Sequence, residues 1–146
     1  MYKHILLPTD GSELSKAAIK HGIALASAIG AKVTALVVLT PLHSLVVDPA
    51  LLLKEMDQYK ALVAAQTTKY LDHIRNDAQR AGVDCITVCT EHDRPYEAIV
   101  DTAKHNQCDL VVMASHGLRG VSAILGSETL KVLTHSSVPV LVYRRA

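Results

Sequence analysis

The fold is indicated by the stretch DLVVMASHGLRGVSAILGSET, residues 109–129, which joins an apolar run, residues 109–113, to an amphipathic segment. The connection contains Gly117, Gly120, Gly126 and several hydroxyl side chains. Glycines let backbone N–H groups approach a ligand closely, and the helix that follows directs the positive end of its dipole there. A strand that ends in this way is typical of an anion-binding loop, while a plain surface loop remains the alternative.

Length and composition predict one globular domain, residues 1–146. The chain is 49% hydrophobic and 20% charged, which argues against disorder. Its 15 basic and 14 acidic residues are spread along the sequence, and Phe and Trp are absent, so we expect no nucleic-acid partner. The apolar runs are too short for a secretion signal or a membrane span. We therefore expect a cytoplasmic protein with no membrane partner.

Apolar β-rich runs alternate with longer amphipathic ones, roughly one pair per 30 residues, which is typical of βαβ units. We predict five strands and four helices. The strands are residues 2–8, 32–39, 84–90, 109–114 and 139–143, and the helices are residues 12–29, 50–81, 93–105 and 126–135. Nearly continuous apolar strands joined by helices predict an α/β fold, a three-layer open parallel sheet with helices on both faces.

The predicted helix boundaries depend on capping residues. Ser12 and Asp93 are good N-cap residues, and Gly30 and Gly82 are suited to the end of a helix. Residues 40–49 have no clear periodicity, and we interpret them as a mobile flap.

Three cysteines, Cys85, Cys89 and Cys108, lie in or beside predicted strands. In a reducing compartment this pattern predicts buried thiols rather than disulfides. Cys85 and Cys89 would share one face of a strand, so a metal pair or a thiol sensor is conceivable. Because no second Cys or His pair lies nearby in the sequence, we predict no metal site.

Ligands of parallel sheets bind beyond the carboxyl ends of the strands, where the strand order reverses. Two loops with suitable chemistry leave such ends: residues 8–12 after the first strand and residues 115–127 after the fourth. If these strands are neighbours, the loops face each other. Asp10 would then accept hydrogen bonds from a ribose opposite a phosphate loop, or it would simply close an Asp-Gly turn; both interpretations stay open.

Three segments carry a specific resemblance: YKHILLPTDGS (residues 2–12), VVMASHG (residues 111–117) and LGSETLKVLTHSSVPVLVY (residues 125–143). Over the whole chain the sequence resembles the universal stress protein family. The resemblance implies a five-stranded parallel sheet in the order 3-2-1-4-5, with a Rossmann-like adenine nucleotide alpha hydrolase-like fold. It also implies a homodimer through the C-terminal strand, from Val138 to Tyr143. One branch of the family binds ATP at a G-x2-G-x9-G-[ST] loop, and the other binds no nucleotide.

The ATP motif is matched incompletely. Gly117, Gly126 and Ser127 match its second glycine, third glycine and hydroxyl, but Ala114 replaces the first glycine. Only eight residues, 118–125, separate Gly117 from Gly126, one fewer than in the motif. We expect Ala114 to be tolerated if its φ is negative. The missing residue is more serious because it could displace the N–H groups aimed at the phosphates, although Gly120 could relax the shorter loop.

Carried over position by position, the resemblance places the ribose on Asp10, the adenine against Val38 and the phosphates on the glycine-rich loop. ATP, with Mg²⁺ as a possible companion, is the implied ligand. The complete predicted nucleotide site is Pro8, Thr9, Asp10, Val38, Met113, Ala114, His116, Gly117, Gly120, Gly126, Ser127, Glu128 and Thr129.

Catalytic motifs are not evident in the sequence. It contains no G-x-S-x-G elbow, no Walker loop and no paired carboxylates in a suitable context, so we predict no enzyme and no catalytic residue, with slow ATP hydrolysis left open. His116 could contact a phosphate, but we favour a hydrogen bond that anchors its own loop.

Two functional hypotheses follow. In the first, the protein is a dimeric stress regulator that binds ATP between the two loops and signals through an unknown protein partner. In the second, the shortened loop binds no nucleotide, and the chain is a dimeric interaction module of the same family.

Overall fold

The computed structural model describes residues 1–41, 49–117 and 124–145. The predicted flap, apart from its ends, and Gly120 therefore lie outside the described residues. The elements in chain order are β1 (His4–Pro8), α1 (Glu13–Ile29), β2 (Lys32–Leu39), α2 (Pro49–Arg80), β3 (Cys85–Glu91), α3 (Pro95–His105), β4 (Leu110–Ala114), α4 (Ser127–His135) and β5 (Val140–Tyr143).

The strands form one parallel sheet in the order β3-β2-β1-β4-β5, which confirms the predicted fold class and strand order. β1 pairs with β2 on one side and with β4 on the other. In these pairs Ile5 lies opposite Val33 and Leu110. The sheet order reverses between β1 and β4, as the resemblance implied.

Helices cover both faces of the sheet. On one face, Ile23 of α1 and Ile74 of α2 pack against buried side chains such as Ile5. On the other face, Ile99 of α3 and Val132 of α4 pack against Leu6 and its neighbours. Because side chains alternate along a strand, the central strands are apolar on both faces, and this explains their nearly continuous apolar sequence.

The predicted helix boundaries are mostly confirmed. Ser12 is the N-cap of α1 and accepts a hydrogen bond from Ser15 N at 3.2 Å, and Gly30 ends that helix with a φ of 73°. The prediction for Asp93 was wrong, since Arg94 is the N-cap of α3. Pro95 explains the difference, because a proline forces the residue before it into extended backbone.

The prediction of buried thiols is confirmed for Cys108 and wrong for Cys89, which is exposed; Cys85 is partly buried. Cys85 and Cys89 lie on β3, an edge strand. Within the described part of the chain it pairs with β2 alone, and α2 covers it only in part. Burial still raises the pKa of the Cys85 and Cys89 thiols, so they are poor nucleophiles at neutral pH and give a thiol sensor no support.

The described residues offer neither a cluster of metal ligands nor a membrane-spanning helix. They contain no group of three or more His, Cys, Asp or Glu side chains that could hold a metal ion. No helix among them combines the length and apolarity that crossing a membrane requires.

Candidate functional site

The candidate site lies at the carboxyl edge of the sheet, where the order reverses between β1 and β4. The two strands are direct neighbours, so the loops that leave them emerge side by side. The sequence predicted this juxtaposition on the condition that the strands are adjacent, and that condition is met.

A cavity of about 560 Å³ opens between these loops. This volume is within the range of small-molecule sites. Its described lining consists of Pro8, Thr9, Asp10, Ser15, Leu36, Val38, Thr40, Pro95, Ile99, Met113, Ala114, His116, Gly117, Gly126, Ser127, Glu128 and Thr129.

The structure brings twelve of the thirteen predicted site residues to this cavity, and the remaining one, Gly120, lies outside the described residues. What these residues bind stays a prediction. Sequence reasoning missed Ser15, Leu36, Thr40, Pro95 and Ile99. Leu36 follows from the alternation of β2, since it lies on the same side as Val38, and Thr40 comes directly after the end of that strand. No local signal indicated that Pro95 and Ile99 of α3 would reach the cavity.

Asp10 combines a local turn with a position in the cavity. Its Oδ1 accepts a hydrogen bond from Ser12 N at 3.0 Å, and Gly11 between them has a φ of 80°. Its Oδ2 lies 2.2 Å from the point that a Cβ on Gly117 would occupy. The Asp-Gly turn therefore exists, and the same carboxylate also bridges toward the loop after β4.

The start of α4 is held tightly against the end of β4. Gly126 N donates to Ser115 O at 2.7 Å, and Thr129 Oγ1 donates to Ala114 O at 2.9 Å. A Cβ on Gly126 would lie 3.0 Å from His116 Cα, so the close approach favours glycine. Ala114 keeps a negative φ, as expected. These contacts fix the N-terminus of α4 at the cavity.

Glu128 has a structural partner that the sequence did not predict. Its Oε2 accepts a hydrogen bond from Tyr96 N at 2.9 Å, so it caps the first turn of α3, whose N-cap residue Arg94 provides no side-chain cap. A carboxylate at a helix N-terminus also interacts favourably with the helix dipole. Glu128 therefore joins α3 to α4 at the rim of the cavity.

His116 has the loop contact that we favoured. Its Nδ1 lies 3.2 Å from Ser115 Oγ, and its side chain also lines the cavity. This hydrogen bond is compatible with loop anchoring and does not exclude a ligand on the other ring nitrogen.

The polar chemistry of the cavity suits a phosphorylated ligand with a cation. The described lining contains the carboxylates of Asp10 and Glu128 and neither Lys nor Arg. Backbone N–H groups and the Ser127 hydroxyl at the start of α4 are suitable donors for phosphate oxygens. Mg²⁺ prefers carboxylate and phosphate oxygens, so it is a suitable companion of a bound phosphate.

A larger and more open depression, about 940 Å³, runs along α2. Its described lining comes from α2 alone, between Ala64 and Asn76. Because ligand sites are usually concave and formed by several elements, the less open cavity at the carboxyl ends of the strands is the better candidate.

Comparison with known proteins supplies the family context. The model of the universal stress protein family matches residues 1–144. Universal stress protein MJ0531 of Methanocaldococcus jannaschii is 32% identical, and the match covers 99% of this chain and 84% of that protein.

Solved structures with the same fold include that of MJ0577 from the same organism, which is 29% identical to this chain with a TM-score of 0.84. The match covers 100% of this chain and 98% of that one. A universal stress protein solved in complex with cAMP is 23% identical, with a TM-score of 0.72 and coverage of 98% of this chain and 97% of that one. At that identity the likeness shows the fold alone.

Proposed function

The chain belongs to the universal stress protein family, and we propose that it binds an adenine nucleotide, with ATP as the first choice, in the cavity between β1 and β4. We further propose that it acts as a cytoplasmic, dimeric stress-response protein. Nucleotide binding would be transmitted to a protein partner rather than used in catalysis.

The observation that carries this proposal is the position of Asp10 opposite the N-terminus of α4 within one cavity. A ribose requires a hydrogen-bond acceptor, and a phosphate requires N–H donors and a helix dipole. Asp10 Oδ2 lies close to the position that a Cβ on Gly117 would occupy, and both residues line the cavity, so the two loops meet there. A single ligand can therefore contact both.

Each part of the nucleotide has a suitable surface. Val38 and Leu36 of β2, with Ile99 of α3, provide apolar contacts for the adenine ring. Asp10 accepts hydrogen bonds from the ribose, and the start of α4 at Ser127 receives the phosphates. Mg²⁺, which binds phosphate oxygens, would offset part of the phosphate charge.

The fold is compatible with this ligand class. The same architecture holds cAMP in the universal stress protein that is 23% identical to this chain. This supports only the capacity of the fold to hold an adenine nucleotide, and the choice among ATP, AMP and cAMP is a question for measurement.

A homodimer through β5 accompanies the proposal. β5 is an edge strand, so one side of its backbone can pair with another chain. Leu141 on β5 and Leu130 and Leu133 on α4, the helix that contacts β5, are exposed apolar side chains. A second copy that covered β5 would also cover part of this surface.

The second candidate function is a dimeric interaction module that binds no nucleotide. The shortened segment between Gly117 and Gly126 favours it. Both candidates share the proposed dimer, so they differ in the cavity alone.

Nuclear magnetic resonance of the ¹⁵N-labelled protein distinguishes them. Titration with Mg-ATP is expected to shift the amide signals of Asp10, Gly117 and Ser127 together, with one saturation curve. Shifts confined to surface residues far from this cavity, or no shifts at all, would leave the interaction module as the better account.

A further inference from the structure

A chain of hydroxyl groups links α2 to the loop after β1. Tyr70 OH lies 2.8 Å from Thr9 Oγ1, and Thr9 Oγ1 lies 2.9 Å from Ser15 Oγ. Thr9 and Ser15 are buried and line the cavity, while Tyr70 is partly buried. Tyr70 is 61 residues from Thr9 in sequence, so the contact joins two separate parts of the chain.

The direction of the hydrogen bonds follows from counting protons. Ser15 Oγ donates to Ser12 O at 3.0 Å, so its single proton is used. It must then accept from Thr9, whose own proton is used in turn. Thr9 Oγ1 therefore accepts from Gly11 N at 3.2 Å and from the Tyr70 hydroxyl. Burial raises the pKa of Tyr70, so the phenol keeps the proton that it donates at neutral pH.

The hydroxyl chain ends at the backbone that presents Asp10. Gly11 N donates to Thr9 Oγ1, while Ser12 both donates its N–H to Asp10 Oδ1 and accepts from Ser15 through its carbonyl. The Gly11 N–H and the Ser12 carbonyl, which follow Asp10, are thus both hydrogen-bonded to members of the hydroxyl chain that begins at Tyr70. Removal of the Tyr70 proton donor leaves one lone pair of Thr9 without its partner and loosens the turn.

We propose that Tyr70 is a positioning residue for the nucleotide cavity, and that its hydroxyl couples ligand binding at Asp10 to the docking of α2 on the sheet. The inference rests on the proposed function. Coupling of this kind is reciprocal, so a nucleotide that fixes the turn also stabilises α2 near Tyr70. Outside the two loops, α2 is then the element whose stability changes when a nucleotide binds in the cavity.

The test compares Tyr70→Phe with Tyr59→Phe, a matched change at an exposed tyrosine of the same helix. Tyr70→Phe keeps the ring and removes only the hydroxyl. We expect it to weaken Mg-ATP binding roughly threefold to tenfold, the effect of one neutral hydrogen bond, and we expect no change in Tyr59→Phe. Without nucleotide, hydrogen exchange at the Gly11 amide is expected to be faster in Tyr70→Phe alone.

Two further readouts separate positioning from a general loss of stability. Mg-ATP is expected to slow amide exchange in α2 around Tyr70 in the wild type and in Tyr59→Phe, but not in Tyr70→Phe. In a double-mutant cycle, Tyr70→Phe is expected to cost little further affinity once Thr9→Val is present, because Thr9→Val has already removed the acceptor of the Tyr70 hydroxyl.

Equal affinity and equal protection of α2 in Tyr70→Phe and the wild type would overturn the inference and leave the proposed function intact. Unchanged exchange at Gly11 in the nucleotide-free variant would overturn it as well. If the wild type itself binds no Mg-ATP, the proposed function fails, and the coupling fails with it.

Discussion

Asp10 is the residue on which the proposed ligand depends most. Because its carboxylate closes a turn and also faces Gly117, Asp10→Ala removes the ribose acceptor from the cavity. We expect Mg-ATP binding to weaken at least about tenfold, with the domain still folded by circular dichroism. Asp101→Ala, at an exposed position in the middle of α3, serves as the control and is expected to bind like the wild type. Equal affinities in the two variants would place the nucleotide elsewhere.

His4, at the amino-terminal end of the central strand β1, makes the stability of the domain depend on pH. It is buried, its Nε2 lies 2.7 Å from Thr34 Oγ1, and burial together with the nearby charge of Lys32 lowers its pKa. The unfolded chain therefore binds a proton that the folded chain does not. The contribution of His4 to the free energy of unfolding is fully present above pH 6.5, the ordinary pKa of histidine, and is lost progressively as the pH falls below that value.

Urea unfolding on both sides of pH 6.5 measures this effect. We expect the free energy of unfolding to decline on acidification in the wild type and to decline less steeply in His4→Gln. His105→Gln, at an exposed histidine, is expected to keep the wild-type slope. A variant at His4 with the wild-type slope would mean that other groups cause the acid sensitivity.

At this scale the sequence predicted residues whose role is local. Ser12 was identified as an N-cap because capping depends on its own turn, and the Asp-Gly turn at Asp10, which the structure contains, was one of the two interpretations left open for that residue. The roles of Tyr70 and Glu128 were not predictable, since their partners, Thr9 and Tyr96, are distant in sequence.

Among the elements, α3 depends on a cap that another helix supplies. Glu128→Ala leaves Tyr96 N without its acceptor, and we expect a loss of about 1 kcal/mol, as for other N-cap deletions. Urea unfolding gives the loss, and faster hydrogen exchange at the Tyr96 amide assigns it to α3. Glu128→Gln retains an acceptor oxygen and is expected to lose less.

Glu55→Ala is the control for this prediction, because Glu55 is an exposed carboxylate on α2. It is expected to be neutral. If Glu128→Ala were equally neutral, with the Tyr96 amide as protected as in the wild type, the proposed cap would make no contribution to the stability of α3.

The strands and helices themselves were predictable because their periodicity is strong. β2 was predicted with its observed bounds, Lys32–Leu39, and the remaining elements differ by one or two residues at their ends. The wrong prediction for Cys89 concerns burial, which depends on the neighbouring elements in the sheet. Cys89 was expected to be buried, but the position of β3 at the edge is a property of the sheet and not of the strand.

For the whole molecule, the proposed dimer gives the clearest prediction. Leu141 is 38% exposed on the edge strand β5, and a charged side chain there opposes pairing with a second copy. We expect the wild type to be a dimer and Leu141→Lys a folded monomer in analytical ultracentrifugation. Val140 is less suitable for this test because it packs against the core of its own chain.

Leu62→Lys provides the control, since Leu62 is an exposed leucine on α2, away from β5. It is expected to remain dimeric. A Leu141→Lys protein that remained dimeric would show that the interface, if there is one, uses another surface.

At the scale of the whole chain, the alternation of strands and helices predicted a parallel sheet covered on both faces. The strand order came from the resemblance, because periodicity does not determine which strands are neighbours. The cavity followed from that order and from the two loops.

Isothermal titration calorimetry of the purified, nucleotide-stripped protein with Mg-ATP tests the central claim most directly. We expect one site per chain with a dissociation constant in the micromolar range, which would mean that the shortened loop still presents its N–H groups to the phosphates. No detectable heat, together with no thermal stabilisation at millimolar ATP, would contradict the claim and favour the nucleotide-free interaction module.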